Sequence, residues 1–151
     1  RDLQQGGGMC YAEKLLISKQ DQLSPMHTHA LKAEDIINRG GATLVVELFG
    51  SDPEGNFAPD VGGTVYCDGI RREFAPGEKL EFQPGESVTL MPGDWHAFWG
   101  DGGDVLIGEV STVNDDETDN IFREPIGRFA TIEEDVAPRH LLVSDYSVCF
   151  E

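Results

Sequence analysis

Short runs rich in apolar and β-branched residues give this chain a mostly strand-like pattern. The clearest cases are Tyr11–Ser18, Thr43–Leu48 and Asp104–Val113, which are rich in β-branched or other apolar residues. Shorter predicted strands, bounded by glycine and proline, cover Met26–His29, Thr64–Cys67, Lys79–Phe82, Ser87–Met91 and Ala97–Trp99. Many short strands at regular spacing predict an all-β protein built as an antiparallel sandwich or barrel.

Helical periodicity is nearly absent. Leu31–Ile37 and Thr131–Asp135 could each form one helical turn, and His140–Val143 is predicted as a last, peripheral strand. No linker or internal repeat divides the 151 residues, so we predict one domain over residues 1–151. Residues 1–10 are expected to form a short N-terminal arm. Residues 114–151 are expected to wrap the outside of the barrel or to cover its mouth.

Composition narrows the classes of partner. The net charge of −17 disfavours binding to nucleic acid or to an anionic membrane. No apolar run is long enough to span a membrane and no signal peptide is visible, which predicts a cytoplasmic protein. The three cysteines are far apart in the chain and form neither a zinc motif nor a disulfide framework.

Three of the four histidines lie in two short motifs. His27 and His29 project from the same face of an extended segment, because side chains alternate along a strand. Glu34 follows five residues later, and a Pro-Gly turn leads into His96. Singly, each residue has a simpler explanation as an exposed or packing side chain. Together, three imidazoles and one carboxylate predict a divalent metal site with positions left open for a substrate.

Two further charged residues lie within predicted strands. Lys14 is in the middle of the first strand, and the pattern leaves open whether its face points inward or to solvent. Glu109 shares a face with Ile107 and Ser111 in a strongly apolar strand. A buried carboxylate costs free energy unless it is paired or used, whereas an outward-facing glutamate costs nothing. Asp119 ends an acidic turn from which it could reach the mouth of the barrel.

The two metal motifs resemble those of the cupin superfamily, and further segments are similar to D-lyxose ketol-isomerases of that superfamily. The similar segments are Cys10–Lys14, Pro25–His29, Glu34–Gly41, Pro84–Ser87, His96–Trp99 and Gly108–Asp116. The Glu34–Gly41 and Gly108–Asp116 segments are the more specific ones, since many cupins share the metal motif. The resemblance, from about Tyr11 to Tyr146, implies a cupin or jelly-roll β-barrel. Members of that family also carry an additional N-terminal segment, which is absent here.

The resemblance further implies a manganese-dependent isomerase that interconverts D-lyxose and D-xylulose, and also D-mannose and D-fructose. It places the metal on His27, His29, Glu34 and His96, and it places Lys14 at the reacting carbons of the sugar. It also implies that the protein forms a homodimer and binds a small sugar as its substrate.

The chemistry of isomerisation fits these residue types. A proton must move from C2 to C1 of the open-chain sugar, and a divalent ion that holds both oxygens stabilises the enediolate. Glu109 is the candidate base, and Lys14 would stabilise the oxyanion or move the hydroxyl proton. Asp119 and Arg128 are candidate substrate-binding residues. Two alternatives stay open, an iron-dependent cupin dioxygenase with the same ligands and a non-catalytic sugar-binding cupin.

Overall fold

A computed structural model describes residues 10–115, 118–126, 135–137 and 139–141 of the chain. The strands are β1 (Tyr11–Ser18), β2 (Ser24–Thr28), β3 (Glu34–Ser51), β4 (Phe57–Ala58), β5 (Gly63–Cys67), β6 (Ile70–Phe74), β7 (Glu78–Phe82), β8 (Ser87–Leu90), β9 (Trp95–Thr112) and β10 (Ile121–Phe122). They pair in the order β10-β2-β9-β3-β8-β5-β6, with β1 on β9 and with β4 and β7 on β3. The prediction of an all-β, antiparallel fold is confirmed. Within the described ranges, no helix is long and apolar enough to cross a membrane.

The two longest strands, β3 and β9, form the frame of the molecule. Each has 18 residues, and they pair antiparallel along most of their length. Their register shifts between Asn38 and Gly40 and again between Gly41 and Thr43, where the pair bends. Gly41 has a φ of +99°, and a Cβ there would collide with the carbonyl oxygen of Asp104. Only glycine lets the two strands stay paired through this bend.

Asn38 holds the inside of the bend with its side-chain amide, which is fully buried. Its Nδ2 donates to the carbonyls of Ala42 and Phe82, both at 2.9 Å, and its Oδ1 accepts from the N–H of Gly40 at 3.0 Å. Both amide protons and one acceptor position of Oδ1 are used, which offsets much of the cost of burying this side chain.

The structure of β3 and β9 corrects two predictions made from the sequence. Ala97–Trp99 and all but the last residue of Asp104–Val113 are parts of one strand, β9, because Asp101 keeps its pairing with Thr43 through the glycine-rich turn. The one-turn helix over Leu31–Ile37 is wrong. From Glu34 onward the chain belongs to β3, where alternate side chains are buried.

Other predictions fall at or beyond the edge of the described ranges. The second helical turn, Thr131–Asp135, lies outside them except for its last residue. His140 and Leu141 are not in a strand, and the rest of the predicted peripheral strand lies outside the described ranges. One domain over residues 1–151, with an N-terminal arm and a wrapping segment, stays a prediction.

The interior divides into an apolar part and a polar part. The apolar core consists of Ile36, Leu44, Val46, Leu48, Val65, Phe74, Leu80, Phe82, Val88, Leu90, Phe98, Val105 and Ile107. Two residues along the same strand face from Ile36, Phe98 and Ile107 come the buried polar residues Glu34, His96 and Glu109. The sheet therefore carries a polar cluster at one end of an otherwise apolar interior.

Candidate metal centre

Strand pairing brings the predicted metal ligands together. His27 on β2 lies directly opposite His96 on β9, and their ring centroids are 4.2 Å apart. The ring of His29 is 5.2 Å from that of His27, as expected for residues that share a face of the chain. Glu34 begins β3 and points inward. One donor atom from each of the four residues lies within 4.8 Å of the others.

Backbone carbonyls fix the orientation of all three imidazoles. The ring atom Nδ1 contacts the carbonyl of Pro25 in His27, of Asp119 in His29 and of Asp94 in His96, at 2.7, 2.7 and 3.0 Å. A carbonyl oxygen can only accept a hydrogen bond, so each ring carries its proton on Nδ1. The lone pair of each Nε2 is thereby turned toward the cluster, as in histidines that bind metal ions.

This arrangement leaves buried acceptor atoms facing one another. The Oε1 of Glu34 is 3.3 Å from Nε2 of His29 and 3.1 Å from Nε2 of His96. None of these three buried atoms has a hydrogen-bond partner among the described residues. Lone pairs brought this close without a donor repel, and burial removes the water that would relieve them. A divalent cation shared by these atoms would remove the conflict, so the residues fit a metal ion.

The ionisation of the cluster also suits a metal. Burial, with the neighbouring His96, lowers the pKa of His27 to about 3. Burial alone would raise the pKa of Glu34. The imidazoles of His29 and His96 and the ammonium of Lys32 outweigh it and hold that pKa well below its usual range. At neutral pH His27 is therefore neutral and Glu34 is ionised, which are the forms that bind metal ions.

A chain of charges links this cluster to Glu109. Lys14 on β1 is in register with Glu109 on β9, and its Nζ lies 3.0 Å from Oε1 of Glu109. The Nζ of Lys32 lies 3.0 Å from the same oxygen and 2.6 Å from Oε2 of Glu34. The face of β1 that carries Lys14 therefore points inward, and Glu109, at 8% exposure, is buried. Both questions that the sequence pattern left open are settled by these contacts.

Lys32 is the residue that sequence reasoning missed. It is 4% exposed and bridges two carboxylates. Burial alone would lower its pKa, but the charges of Glu34 and Glu109 and their hydrogen bonds outweigh it and raise that pKa. Its position two residues before Glu34 was the available signal, because residues two apart in an extended segment share a face.

The structure describes one of the two predicted substrate-binding residues. Asp119 is 3% exposed, and both its carboxylate oxygens accept hydrogen bonds from the backbone of residues 30–32. These oxygens are thus engaged within the protein, which does not support the predicted substrate contact. Arg128 lies outside the described residues.

Aromatic rings border the histidine cluster on the side of β9 and β10. Phe98 lies nearly parallel to His96, with centroids 6.3 Å apart, and Phe122 lies 5.4 Å from His27. Apolar neighbours exclude water and strengthen electrostatic interactions within the cluster.

Comparison with solved structures identifies the fold. An L-ribose isomerase from Cellulomonas parahominis matches with a TM-score of 0.54 and 19% identity, over 75% of this chain and 57% of that one. A dTDP sugar isomerase from Desulfovibrio desulfuricans matches with a TM-score of 0.54 and 8% identity, over 82% of this chain and 71% of that one. At such identities the likeness concerns the fold alone, and that fold is the cupin barrel.

Sequence comparison goes further than the fold. The family model for D-lyxose isomerase matches residues 1–146, and the chain belongs to this family. A D-lyxose/D-mannose isomerase from Serratia proteamaculans is 50% identical over 138 residues, which cover 90% of this chain and 60% of the relative. One from Escherichia coli is 47% identical over 139 residues, which cover 91% of this chain and 61% of the relative. The chain thus spans about three fifths of the length of these relatives.

Proposed function

We propose that this chain carries the catalytic barrel of a metal-dependent aldose–ketose isomerase. The observation that carries the proposal is the cluster of unpartnered buried acceptors on His29, Glu34 and His96, joined through Lys32 to Glu109. A metal-binding cluster beside a carboxylate and two ammonium groups matches the needs of proton transfer at a carbon next to a carbonyl. The names of the two relatives support D-lyxose and D-mannose as substrates.

His27, His29, Glu34 and His96 would hold the metal, for which we propose Mn²⁺. The bound ion would supply a Lewis acid that stabilises negative charge on the sugar oxygens. Manganese accepts mixed nitrogen and oxygen ligands, but the donor set suits several first-row metals, so its choice rests on the family resemblance.

Glu109 is proposed as the base that moves the carbon-bound proton. Its Oε1 accepts hydrogen bonds from both lysines, while no hydrogen bond to its Oε2 occurs among the described residues. Oε2 would take the proton from C2 of the aldose and return it to C1. A hydroxyl proton passes in the same direction, from O2 to O1, so that the ketose forms without net gain or loss of protons.

The two lysines would have different tasks. The side chain of Lys14 keeps 39% of its exposure, so its ammonium can also reach a sugar oxygen and stabilise charge there. Lys32 is enclosed between Glu34 and Glu109 and would hold the metal-ligand carboxylate and the base in fixed relation. Arg128 stays a proposed substrate-binding residue.

A sugar screen of metal-stripped protein tests the proposal. The protein would be reloaded separately with Mn²⁺, Fe²⁺ and Zn²⁺ and incubated with D-lyxose, D-mannose, D-xylulose or D-fructose. We expect ketose from the two aldoses, with Mn²⁺ the most effective metal, and no product from the stripped protein. Sugar binding without ketose under every metal would favour the non-catalytic alternative. Oxygen uptake with Fe²⁺ and an aromatic or thiol substrate would favour the dioxygenase.

A cytoplasmic location and a homodimer belong to the same proposal. The location is proposed from the sequence, and the homodimer from the family resemblance. Gel filtration coupled to light scattering would decide between monomer and dimer.

A further inference from the structure

Asp119 is at the centre of a set of hydrogen bonds that ends in the metal cluster. Its Oδ1 accepts from the backbone N–H groups of Ala30 and Leu31, at 2.8 and 2.9 Å. Its Oδ2 accepts from the N–H of Lys32 at 2.9 Å. Its backbone carbonyl accepts from Nδ1 of His29 at 2.7 Å. One residue therefore contacts four consecutive residues, 29–32, through both its side chain and its main chain.

The segment that Asp119 contacts lacks strand pairing of its own. Residues 29–33 lie between the end of β2 and the start of β3. The side chain of Leu31 is 73% exposed, so this segment reaches the surface and has little apolar packing there. Three consecutive N–H groups that converge on one buried carboxylate replace the hydrogen bonds that a strand would have supplied.

The position of Asp119 is itself fixed by the fold. Its N–H donates to the carbonyl of Asp115 at 2.9 Å, just beyond β9. On its other side, Ile121 in β10 pairs with Thr28 in β2. Asp119 is thus held between the end of β9 and the short strand β10, which pairs with β2 at His27.

Two groups of the proposed catalytic machinery depend on this loop. His29 donates from Nδ1 to the carbonyl of Asp119, and this hydrogen bond keeps the proton on Nδ1 and leaves Nε2 free to bind a metal ion. The backbone nitrogen of Lys32, which is bonded directly to its Cα, is anchored by Asp119, and the ammonium of Lys32 reaches Glu34 and Glu109. A shift of the loop would move a metal ligand and the bridging ammonium together.

We propose that Asp119 is a positioning residue, which sets the loop carrying His29 and Lys32 and does not contact the substrate. The inference rests on the proposed function only where it concerns the effect of Asp119 on turnover. Its effects on metal affinity and on the backbone of residues 30–32 are independent of which reaction the protein catalyses.

The test compares Asp119→Asn with Asp60→Asn, an exposed aspartate in a turn away from the cluster. Circular dichroism would first confirm that both variants are folded. We expect Asp119→Asn to weaken Mn²⁺ binding by about 10- to 100-fold, as is usual for residues that orient metal-binding histidines. At saturating Mn²⁺, kcat should fall by up to about 10²-fold, because Lys32 and His29 are misplaced, while KM changes little. Asp60→Asn should match the wild type in both measurements.

Hydrogen exchange in the unmodified protein gives a second test that does not depend on a variant folding. The amides of Ala30, Leu31 and Lys32 should be protected, although they lie in a loop and the Leu31 side chain is exposed. Exchange of these three amides at the rate of an open loop would overturn the proposal. So would an Asp119→Asn variant that binds Mn²⁺ like the wild type and shows only a raised KM, since that is the behaviour of a substrate-contacting residue. If the wild-type protein converts no sugar, the proposed function fails, whereas Mn²⁺ affinity and amide exchange still decide the role of Asp119.

Discussion

The proposed active site has a strand-held part and a loop-held part, and the two differ in what fixes them. His27, His96 and Glu109 project from paired strands, where ladder hydrogen bonds and alternation determine their direction. His29 and Lys32 lie on a segment without strand pairing and depend on Asp119, which is distant in the sequence. In such a site the sheet positions most of the ligands, and the buried carboxylate of Asp119 positions the loop that carries His29 and Lys32.

Removing a strand-held ligand should have the largest effect. His96→Ala deletes one of four donors, and we expect Mn²⁺ affinity to fall by more than about 100-fold, beyond the usual loss from a residue that only orients a ligand. His140→Ala, an exposed histidine outside both motifs, is the matched control. Titration of stripped protein followed by elemental analysis would measure this. Full occupancy in His96→Ala would contradict the assignment of this ligand.

Removing the proposed base while keeping the metal should have the second-largest effect. Glu109→Gln keeps the size of the side chain and should retain Mn²⁺, while kcat falls by about 10²- to 10⁴-fold, the usual contribution of a general base. Glu81→Gln on the exposed face of β7 should leave both quantities unchanged. Wild-type turnover in Glu109→Gln would exclude Glu109 as the base and direct attention to another carboxylate.

The two lysines allow a direct comparison of a strand-held and a loop-held cation. Lys32→Met leaves Glu34 buried without its cation and leaves Glu109 paired with Lys14 alone. This loss should destabilise the metal-free protein by about 3–5 kcal/mol and lower Tm by roughly 10 °C. Lys14→Met, at a more exposed position, should change Tm little but reduce turnover by on the order of 10²-fold. Thermal melts and kinetics on both variants measure the contrast. Equal losses of Tm would mean that the two lysines are equivalent.

The smallest expected effect is a pH dependence of stability from His27. Its pKa is about 3 in the folded protein and 6.5 in the unfolded chain, so between these values the proton binds only the unfolded chain. The stability of the metal-free protein should therefore be fully present above about pH 6.5 and decline as the pH falls toward 3. Melting curves of wild type and His27→Ala between pH 7 and 5 would measure it. The same slope in both proteins would show that another group is responsible.

The four metal-binding residues could be predicted from the sequence, and the charged and hydrogen-bonded network around them could not. Alternation alone places His27 with His29, and the turn before His96 directs it inward. Lys14 and Glu109 needed the register of β1 on β9, which no local pattern reveals. Lys32 was passed over because a lysine beside an acid is typical of a solvated surface. Asp119 lies in an acidic run whose composition gives no hint that one member is buried.

The same limit applies to the fold. Short apolar and β-branched runs identify the strands, but they do not reveal that β3 and β9 continue through their glycine-rich bends. That continuity depends on Asn38 and on the close approach of Gly41 to Asp104, which are contacts between segments far apart in the sequence. The local pattern predicts which segments form strands, and contacts between distant segments determine where each strand ends.

The central claim is that one divalent ion binds between His27, His29, Glu34 and His96. Crystals grown with Mn²⁺ and measured at the manganese absorption edge test it most directly. The account predicts a single strong anomalous peak between the Nε2 atoms of the three histidines and Oε1 of Glu34. It predicts no such peak in crystals of His96→Ala. Absence of a peak from this cluster in the wild-type protein, or a peak only at other residues, would contradict it.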